Sequence, residues 1–171
     1  MPYFTTPPLS IIDRPADAKH TSGPRIASDI KLIVLHATAG GLESSLDWLT
    51  TNPASVVSAH RVIADNGQIY KCADDLVICN RVGYSRMGNT TGLNRPALGI
   101  EIVNSNSGSD PYEVAQVNST AWQVAEWWGI YGALPIVSHK SIDTKGKTDP
   151  AGFDWQAFYR ALFARLAEVL W

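Results

Sequence analysis

The chain has 171 residues, of which 45% are hydrophobic, and this is enough for one domain with a substantial core. Its 14 basic and 16 acidic residues nearly cancel and leave a formal net charge of -2. This balance argues against nucleic acid or an anionic membrane surface as a partner.

The amino-terminal sequence MPYFTTPPLSIIDRP lacks the basic region and the apolar run of about 7 to 15 residues that a secretory signal needs. No later segment approaches the roughly 20 apolar residues of a membrane-spanning helix. We therefore expect cytoplasmic synthesis without a signal peptide. Cys72 and Cys79 are too few for a disulfide framework, so we expect buried free thiols, with a disulfide as the alternative.

The elements at the start of the chain are an arm, a strand and a helix. Residues 1–30 are rich in Pro, Ser and Thr and predict an extended arm packed on the domain that residues 31–171 form. The apolar run KLIVLH at residues 31–36 predicts a buried central strand. A short amphipathic helix is expected from about Glu43 to Thr51.

A hairpin and a second interior strand follow. The sequence Asp65-Asn66-Gly67 lies between two alternating runs and predicts a tight turn that joins strands at residues 58–64 and 68–72. The run LGIEIV at residues 98–103 predicts a strand in which Glu101 is the only acid. A lone carboxylate in such a strand needs a partner or a function.

Two further helices are predicted in the last third of the chain. Asp110-Pro111 is a plausible helix start, and Gly132 ends the apolar periodicity that follows. A short strand at residues 136–137 leads to His139, and a last helix begins after an Asp154 cap. Together these elements predict a single α/β domain, α+β by some criteria, with a central mixed sheet and about three flanking helices.

The tryptophans also carry a prediction. Six tryptophans could form a surface on which glycans stack. Four of them fall at helical core spacing, however, and most are therefore predicted to be packing residues: Trp48, Trp122, Trp127 and Trp155.

Several potential metal ligands lie on or just beyond predicted strands, whose ends tend to converge at one sheet edge. A catalytic zinc site usually has three protein ligands, and His36, His139 and Asp149 supply suitable types. Each has an ordinary alternative: a histidine that ends a strand, a surface histidine, and the Asp of an Asp-Pro turn. For Glu101 the alternative is an ion pair with an arginine, Arg61 or Arg81.

Four segments in chain order resemble a known family: IVLHATAG, SAHRVIADNGQIY, LGIEIVN and HKSIDTKGKTDP. Together they are similar to the zinc-dependent N-acetylmuramoyl-L-alanine amidases of the peptidoglycan-recognition and phage-lysozyme type, over about Lys31 to Leu166. The resemblance implies three Zn²⁺ ligands, which are His36, His139 and Asp149. It also implies two catalytic residues, which are Glu101 and Lys147. Family members without Asp or Cys at the third ligand position tend to bind without cutting, so Asp149 argues for an enzyme.

The implied chemistry suits these residue types. Zinc would activate a water and polarise the amide carbonyl between N-acetylmuramic acid and L-alanine. Glu101 would transfer the proton and Lys147 would stabilise the oxyanion. The alternative for Lys147 is a solvated loop lysine, and Lys145 is a rival candidate.

Three further residues are predicted to bind substrate. His60 matches a histidine that lines the site in the family, with a buried hydrogen-bonded residue as the alternative. Arg81 lies in NRVG, where many members have Trp-His-Ala-Gly, and is predicted to attract the carboxylates of a stem peptide. Asn94 is predicted to contact sugar or peptide amides.

The resemblance implies peptidoglycan or a muropeptide as the substrate. We expect a monomeric phage or prophage endolysin that reaches the cell wall after release. The alternatives are a cytosolic recycling amidase for soluble anhydro-muropeptides and a module that binds muropeptides without cleaving them.

Overall fold

The computed structural model describes residues 10–170, and the side chains of residues 10–168. Ten strands occur in this part of the chain: β1 (Ile11–Asp13), β2 (Thr21–Pro24), β3 (Leu32–Ala37), β4 (Arg61–Ile63), β5 (Ile69–Lys71), β6 (Val77–Cys79), β7 (Arg86–Met87), β8 (Thr90–Thr91), β9 (Ala97–Ile102) and β10 (Ile136–Ser138). The α-helices there are α1 (Leu42–Thr50), α2 (Val114–Tyr131), α3 (His139–Ile142) and α4 (Trp155–Leu170). Short 3₁₀ turns occupy Ala18–His20 and Ala27–Asp29.

Six strands form the main sheet, in the order β1-β5-β4-β9-β3-β10. The hairpin β4–β5 is antiparallel, and the other neighbouring pairs are parallel. The predicted mixed sheet of an α/β domain is therefore confirmed, with three long or medium helices and the one-turn α3 around it. No helix within residues 10–170 is long and apolar enough to cross a membrane.

Successive side chains of a strand point to opposite faces of the sheet, and the two central strands, β3 and β9, follow this rule. Ile33 and Leu35 pack with Trp127 of α2 and Phe158 of α4 in the larger core. The intervening residues of β3 point to the other face, where Leu32 and Val34 pack with Ile142 of α3. His36 continues this second row and so belongs to the face opposite the large helices.

The hairpin turn and the last helix begin as the sequence predicts. Gly67 has a φ of +82°, and its N–H donates to Ala64 O at 2.8 Å. A side chain there would also collide with α2, since a Cβ would lie 2.8 Å from Ala115 O. At α4, the carboxylate of Asp154 accepts the N–H of Ala157 at 2.9 Å, which is the predicted cap.

The predicted start of α2 at Asp110 is wrong. The helix begins at Val114, and the Glu113 N–H donates to the side chain of Gln116 at 2.9 Å in a capping box. Asp110 instead accepts the N–H of Ser105 at 2.8 Å, which closes the preceding loop. Its carboxylate is used by the loop and not by the helix.

The amino-terminal segment is joined to the domain by strand pairing. β1 forms the outer strand of the main sheet beside β5, and β2 pairs with β6 in a small antiparallel ladder. The first nine residues of the predicted arm lie outside the described residues. Cys72 and Cys79 are buried and free, as expected.

Candidate metal centre and its cavity

Strand register brings three polar residues into one row at an edge of the sheet. His36 of β3 pairs directly with Glu101 of β9. Ser138 at the end of β10 pairs with Leu35, so the next residue, His139, lies beside His36. Parallel strands in register thus place both imidazoles and the carboxylate on one face at the carboxyl ends of the strands.

Asp149 completes a set of three potential ligands. Its Oδ2 lies 3.0 Å from Nδ1 of His139 and 3.2 Å from Nδ1 of His36. All three ligand atoms lie within 4.8 Å of one another, and all three residues are buried. Bonds of about 2.0–2.1 Å in a tetrahedral site hold ligand atoms about 3.3 Å apart, so this set fits a zinc ion.

The charge states of His36 and Asp149 favour a cation. Burial lowers the pKa of His36 to about 4, so its imidazole is neutral at pH 7, which is the form that binds metals. Burial opposes ionisation of Asp149, but hydrogen bonds from His139 and His36 outweigh it and hold its pKa below the ordinary value. A bound metal would take the place of the contacts that now join this carboxylate to the two Nδ1 atoms.

Glu101 lies beside the three ligands. Its Oε1 is 3.9 Å from Nδ1 of His36, and its side chain is 12% exposed. Burial, together with the charge of Asp149, raises its pKa to about 8. The alternative role in an ion pair is not observed: Arg61 binds Asp75 at 2.8 Å, and no ion pair joins Arg81 to Glu101 within residues 10–168.

The loop after α3 sets the direction of its lysines. The carboxylate of Asp143 accepts the N–H groups of Lys145 at 2.6 Å and Lys147 at 2.8 Å, which turns the chain back on itself. Lys147 then lines the cavity above the ligands. Lys145 lies away from the cavity, with its ammonium 5.1 Å from the ring centre of Tyr84. Only one of these two rivals faces the site.

Asn106 holds the loop that carries Asp149, a contact that the sequence analysis missed. Its Nδ2 donates to Oγ1 of Thr148 at 3.1 Å, and its Oδ1 accepts the N–H of Ala151 at 2.7 Å. Its φ of +57° is one that Asn adopts more readily than most residues. These bonds bracket Asp149 on both sides. No local signal indicates a contact between segments more than 40 residues apart in the chain.

The ligands open into a cavity of about 690 Å³. Helix α1 forms one wall, and Trp48 lies on it with 47% of its surface exposed. The prediction that Trp48 is a packing residue is therefore wrong, whereas Trp127 is fully buried, as expected. The buried stripe of α1 includes Leu46 and Leu49, and Trp48 follows Leu46 by only two residues. Its position off this stripe was a usable signal.

The three residues predicted to bind substrate lie together but differ in their access to the cavity. Arg81 lines it, with its side chain over the backbone of Gly99. His60 is fully buried, and its Nδ1 accepts the N–H of Gly99 at 3.1 Å and lies 3.4 Å from Nη1 of Arg81. Asn94 Oδ1 accepts the N–H groups of Arg81 at 3.0 Å and Val82 at 2.9 Å. These positions favour a supporting role for His60 and Asn94 behind Arg81.

Comparison with known proteins identifies similar sequences. A family model described as N-acetylmuramoyl-L-alanine amidase matches residues 26–152. The N-acetylmuramoyl-L-alanine amidase AmiD of Escherichia coli (strain K12) is 29% identical over 144 residues, which are 74% of this chain and 51% of AmiD. The chain thus spans about half the length of this curated relative.

Solved structures show the same fold. A selenomethionine derivative of AmpD superimposes with a TM-score of 0.78 at 22% identity, covering 90% of this chain and 95% of that chain. The E. coli AmiD complex with anhydro-N-acetylmuramic acid-L-Ala-D-gamma-Glu-L-Lys gives a TM-score of 0.70 at 28% identity, covering 78% of this chain and 57% of that chain. The first of these likenesses supports the fold alone.

Proposed function

Because the chain belongs to the N-acetylmuramoyl-L-alanine amidase family, as the sequence resemblance indicated, we propose that it is a zinc hydrolase acting on peptidoglycan or its fragments. The bond cleaved is the amide between the lactyl group of N-acetylmuramic acid and L-alanine. The observation that carries this proposal is the convergence of His36, His139 and Asp149 at the base of a cavity, directly beside Glu101.

The three ligand side chains would hold Zn²⁺, which supplies Lewis-acid chemistry by polarising a carbonyl and lowering the pKa of water. Their burial limits the contact of bulk solvent with the ligand side chains. A negatively charged carboxylate and two imidazole nitrogens are donors that suit Zn²⁺.

In this proposal Glu101 transfers the proton. Its carboxylate takes a proton from the attacking water as the new C–O bond forms. The same proton then passes to the L-alanine nitrogen as the C–N bond breaks, so that an amine leaves and a lactyl carboxyl group remains. A pKa raised by burial suits both steps, because a general acid-base works best when its pKa lies near the working pH.

In this proposal Lys147 stabilises the charge that develops on the carbonyl oxygen. It lines the cavity, and its main chain is fixed by the hydrogen bond to Asp143. A preorganised positive charge lowers such a barrier more than a charge that must reorganise. Arg81 adds a second positive charge at the base of the cavity and is the candidate for contact with an anionic peptide.

Mass spectrometry of digests tests the proposal. Purified sacculi and soluble anhydro-muropeptides are each incubated with the zinc-loaded protein, and the products are analysed. The expected products are peptides with a free L-alanine amine and glycans with a free lactyl carboxyl group. Binding without such products, surviving both chelation and Asp149→Ala, would establish the module that binds without cleaving.

The same experiment separates the two enzymatic roles. An endolysin, the role predicted from the sequence, releases peptides from intact sacculi. A recycling amidase cleaves soluble anhydro-muropeptides and leaves sacculi intact. A rate on sacculi at least as high as the rate on soluble fragments would support the endolysin.

A further inference from the structure

The cavity above the candidate metal ligands has two chemically different walls. The residues that α1 and the loop before it contribute to the lining are uncharged and carry hydroxyl groups and one indole: Thr38, Gly40, Ser44, Ser45 and Trp48. The ionisable residues that line the cavity besides the histidines lie on the other strands and loops: Arg81, Glu101, Lys147 and Asp149. A ligand with one neutral end and one anionic end would therefore have a preferred direction in this cavity.

Trp48 is the main feature of the uncharged wall. Its helix buries Leu46 and Leu49, at 2% and 6% exposure, so that α1 is anchored to the sheet without the indole. The indole is 47% exposed, and within the described residues it has neither a hydrogen bond nor an aromatic partner. A large aromatic that lines a cavity and is not needed for packing is typical of a ligand contact.

The chemistry of this wall matches a sugar ring. A pyranose has an apolar face of C–H groups and an edge of hydroxyl and amide groups. The indole can cover the apolar face, while oxygen atoms beside it can accept from the polar edge. The Ser44 hydroxyl already donates to Gly41 O at 3.0 Å, which leaves its lone pairs as acceptors. The Thr38 hydroxyl donates to Gly40 O at 2.7 Å and accepts the N–H groups of Gly40 and Asn104, so it shapes the loop beside the indole.

We infer that Trp48 is the stacking surface for the N-acetylated pyranose ring of the substrate, and that the peptide leaves the cavity on the Lys147 side. This inference rests on the proposed amidase function. It orients the scissile bond, with the lactyl carbon toward α1 and the departing L-alanine amine toward the loop that carries Lys147 and Asp149.

A second cavity supports this direction for the peptide. It has a volume of about 530 Å³ and shares Asn106 and Thr148 with the first cavity. Lys140 and Trp155 also line it, so a positive charge continues along this side. A peptide with carboxylates that passes over Thr148 would reach this cavity. A neutral sugar would gain no electrostatic attraction from Lys140 or Lys147.

Product binding tests the inference without requiring catalysis. Isothermal titration measures the affinity of the zinc-loaded protein for N-acetylglucosaminyl-N-acetylmuramic acid and, separately, for the peptide L-Ala-D-γ-Glu-L-Lys. We expect Trp48→Ala to weaken disaccharide binding about tenfold, the effect of losing roughly 55 Å² of apolar contact at about 25 cal/mol per Å². Trp48→Phe should recover most of the affinity, and peptide binding should stay within about twofold.

Phe163→Ala is the matched control. Phe163 is an exposed aromatic on α4, at 60% exposure, and does not line the cavity. This variant should bind both products like the wild type. Thermal unfolding of each variant verifies that the fold is retained, and the Trp48→Phe result separates loss of an aromatic surface from damage to the helix.

Three results would overturn the inference. Unchanged disaccharide affinity in Trp48→Ala would show that the indole does not contact sugar. A loss of peptide affinity equal to the loss of disaccharide affinity would show that the indole does not prefer sugar over peptide. A change from dimer to monomer on Trp48→Ala, seen by light scattering, would show that a second copy covers the indole. If the wild type hydrolyses no muramoyl-L-alanine bond, the proposed function fails, whatever Trp48 binds.

Discussion

Replacement of Gly99 by alanine should displace Arg81 and destabilise the fold. A Cβ at this position would lie 2.7 Å from Cζ of Arg81 and closer still to its Nε and Cδ. The strand cannot retreat, because β9 pairs with β3 on one side and β4 on the other. The arginine must therefore move, although its side chain is buried and its backbone N–H is held by Asn94.

The expected cost of Gly99→Ala follows from this collision. Extra atoms in a well-packed site usually cost about 1–3 kcal/mol of unfolding free energy. For a chain of this length, about 2 kcal/mol corresponds to a fall in melting temperature of roughly 4–8 °C. Arg81 also lines the cavity, so its displacement should weaken substrate binding as well.

Thermal unfolding of four proteins tests this prediction: the wild type, Gly99→Ala, Arg81→Ala and the double variant. In the double variant the alanine at 99 should cost far less, because the atoms it collides with are gone. Gly129→Ala is the control, since a Cβ there meets nothing within 4 Å and helix α2 should gain up to about 1 kcal/mol. A Gly99→Ala protein that melts at the wild-type temperature would refute the reasoning.

Three further predictions concern the site. Lys147→Ala should lower kcat about 10²-fold in an assay of amine release, while Lys145→Ala stays within about twofold, and equal effects would remove the special role of Lys147. Asn106→Ala should weaken zinc binding about tenfold in competition with a chelator, with Asn106→Gly testing whether the positive φ alone is responsible. In the metal-free protein, the pKa of Glu101 is raised from its ordinary 4.5 to about 8. Between these two pH values the folded state therefore holds a proton that the unfolded state releases. Stability should therefore fall as the pH rises through this window, and Glu101→Gln should flatten that fall in urea titrations.

The sequence predicted the elements whose signals are local. The apolar run of β3, the turn at Gly67 and the cap at Asp154 each depend on a few neighbouring residues, and the structure has all three. Strands of two to four residues have too few positions to show alternation. Pairs such as β2–β6 and β7–β8 are stabilised by partners that only the folded chain brings together, and the sequence analysis missed them.

The residue types of the candidate site were predictable from the sequence. The contacts that hold those residues in position were not. The order of the strands explains why His36 and Glu101 are neighbours, because parallel pairing of β3 and β9 puts them in register. The sequence did not show which arginine pairs with an acid, since the partner of Arg61 is Asp75 and not Glu101. Asp110 shows the same limit. Its carboxylate could have capped α2 or closed the preceding loop, and in the structure it accepts the N–H of Ser105 in that loop.

Stepwise return of zinc to chelated protein, with the release of L-alanine amines from peptidoglycan fragments as the signal, tests the central claim most directly. We predict no release without metal, a linear rise up to one zinc per chain, and a plateau beyond it. His36→Ala should not recover at one equivalent. Full activity in the presence of the chelator, or recovery of His36→Ala at one equivalent, would contradict the account.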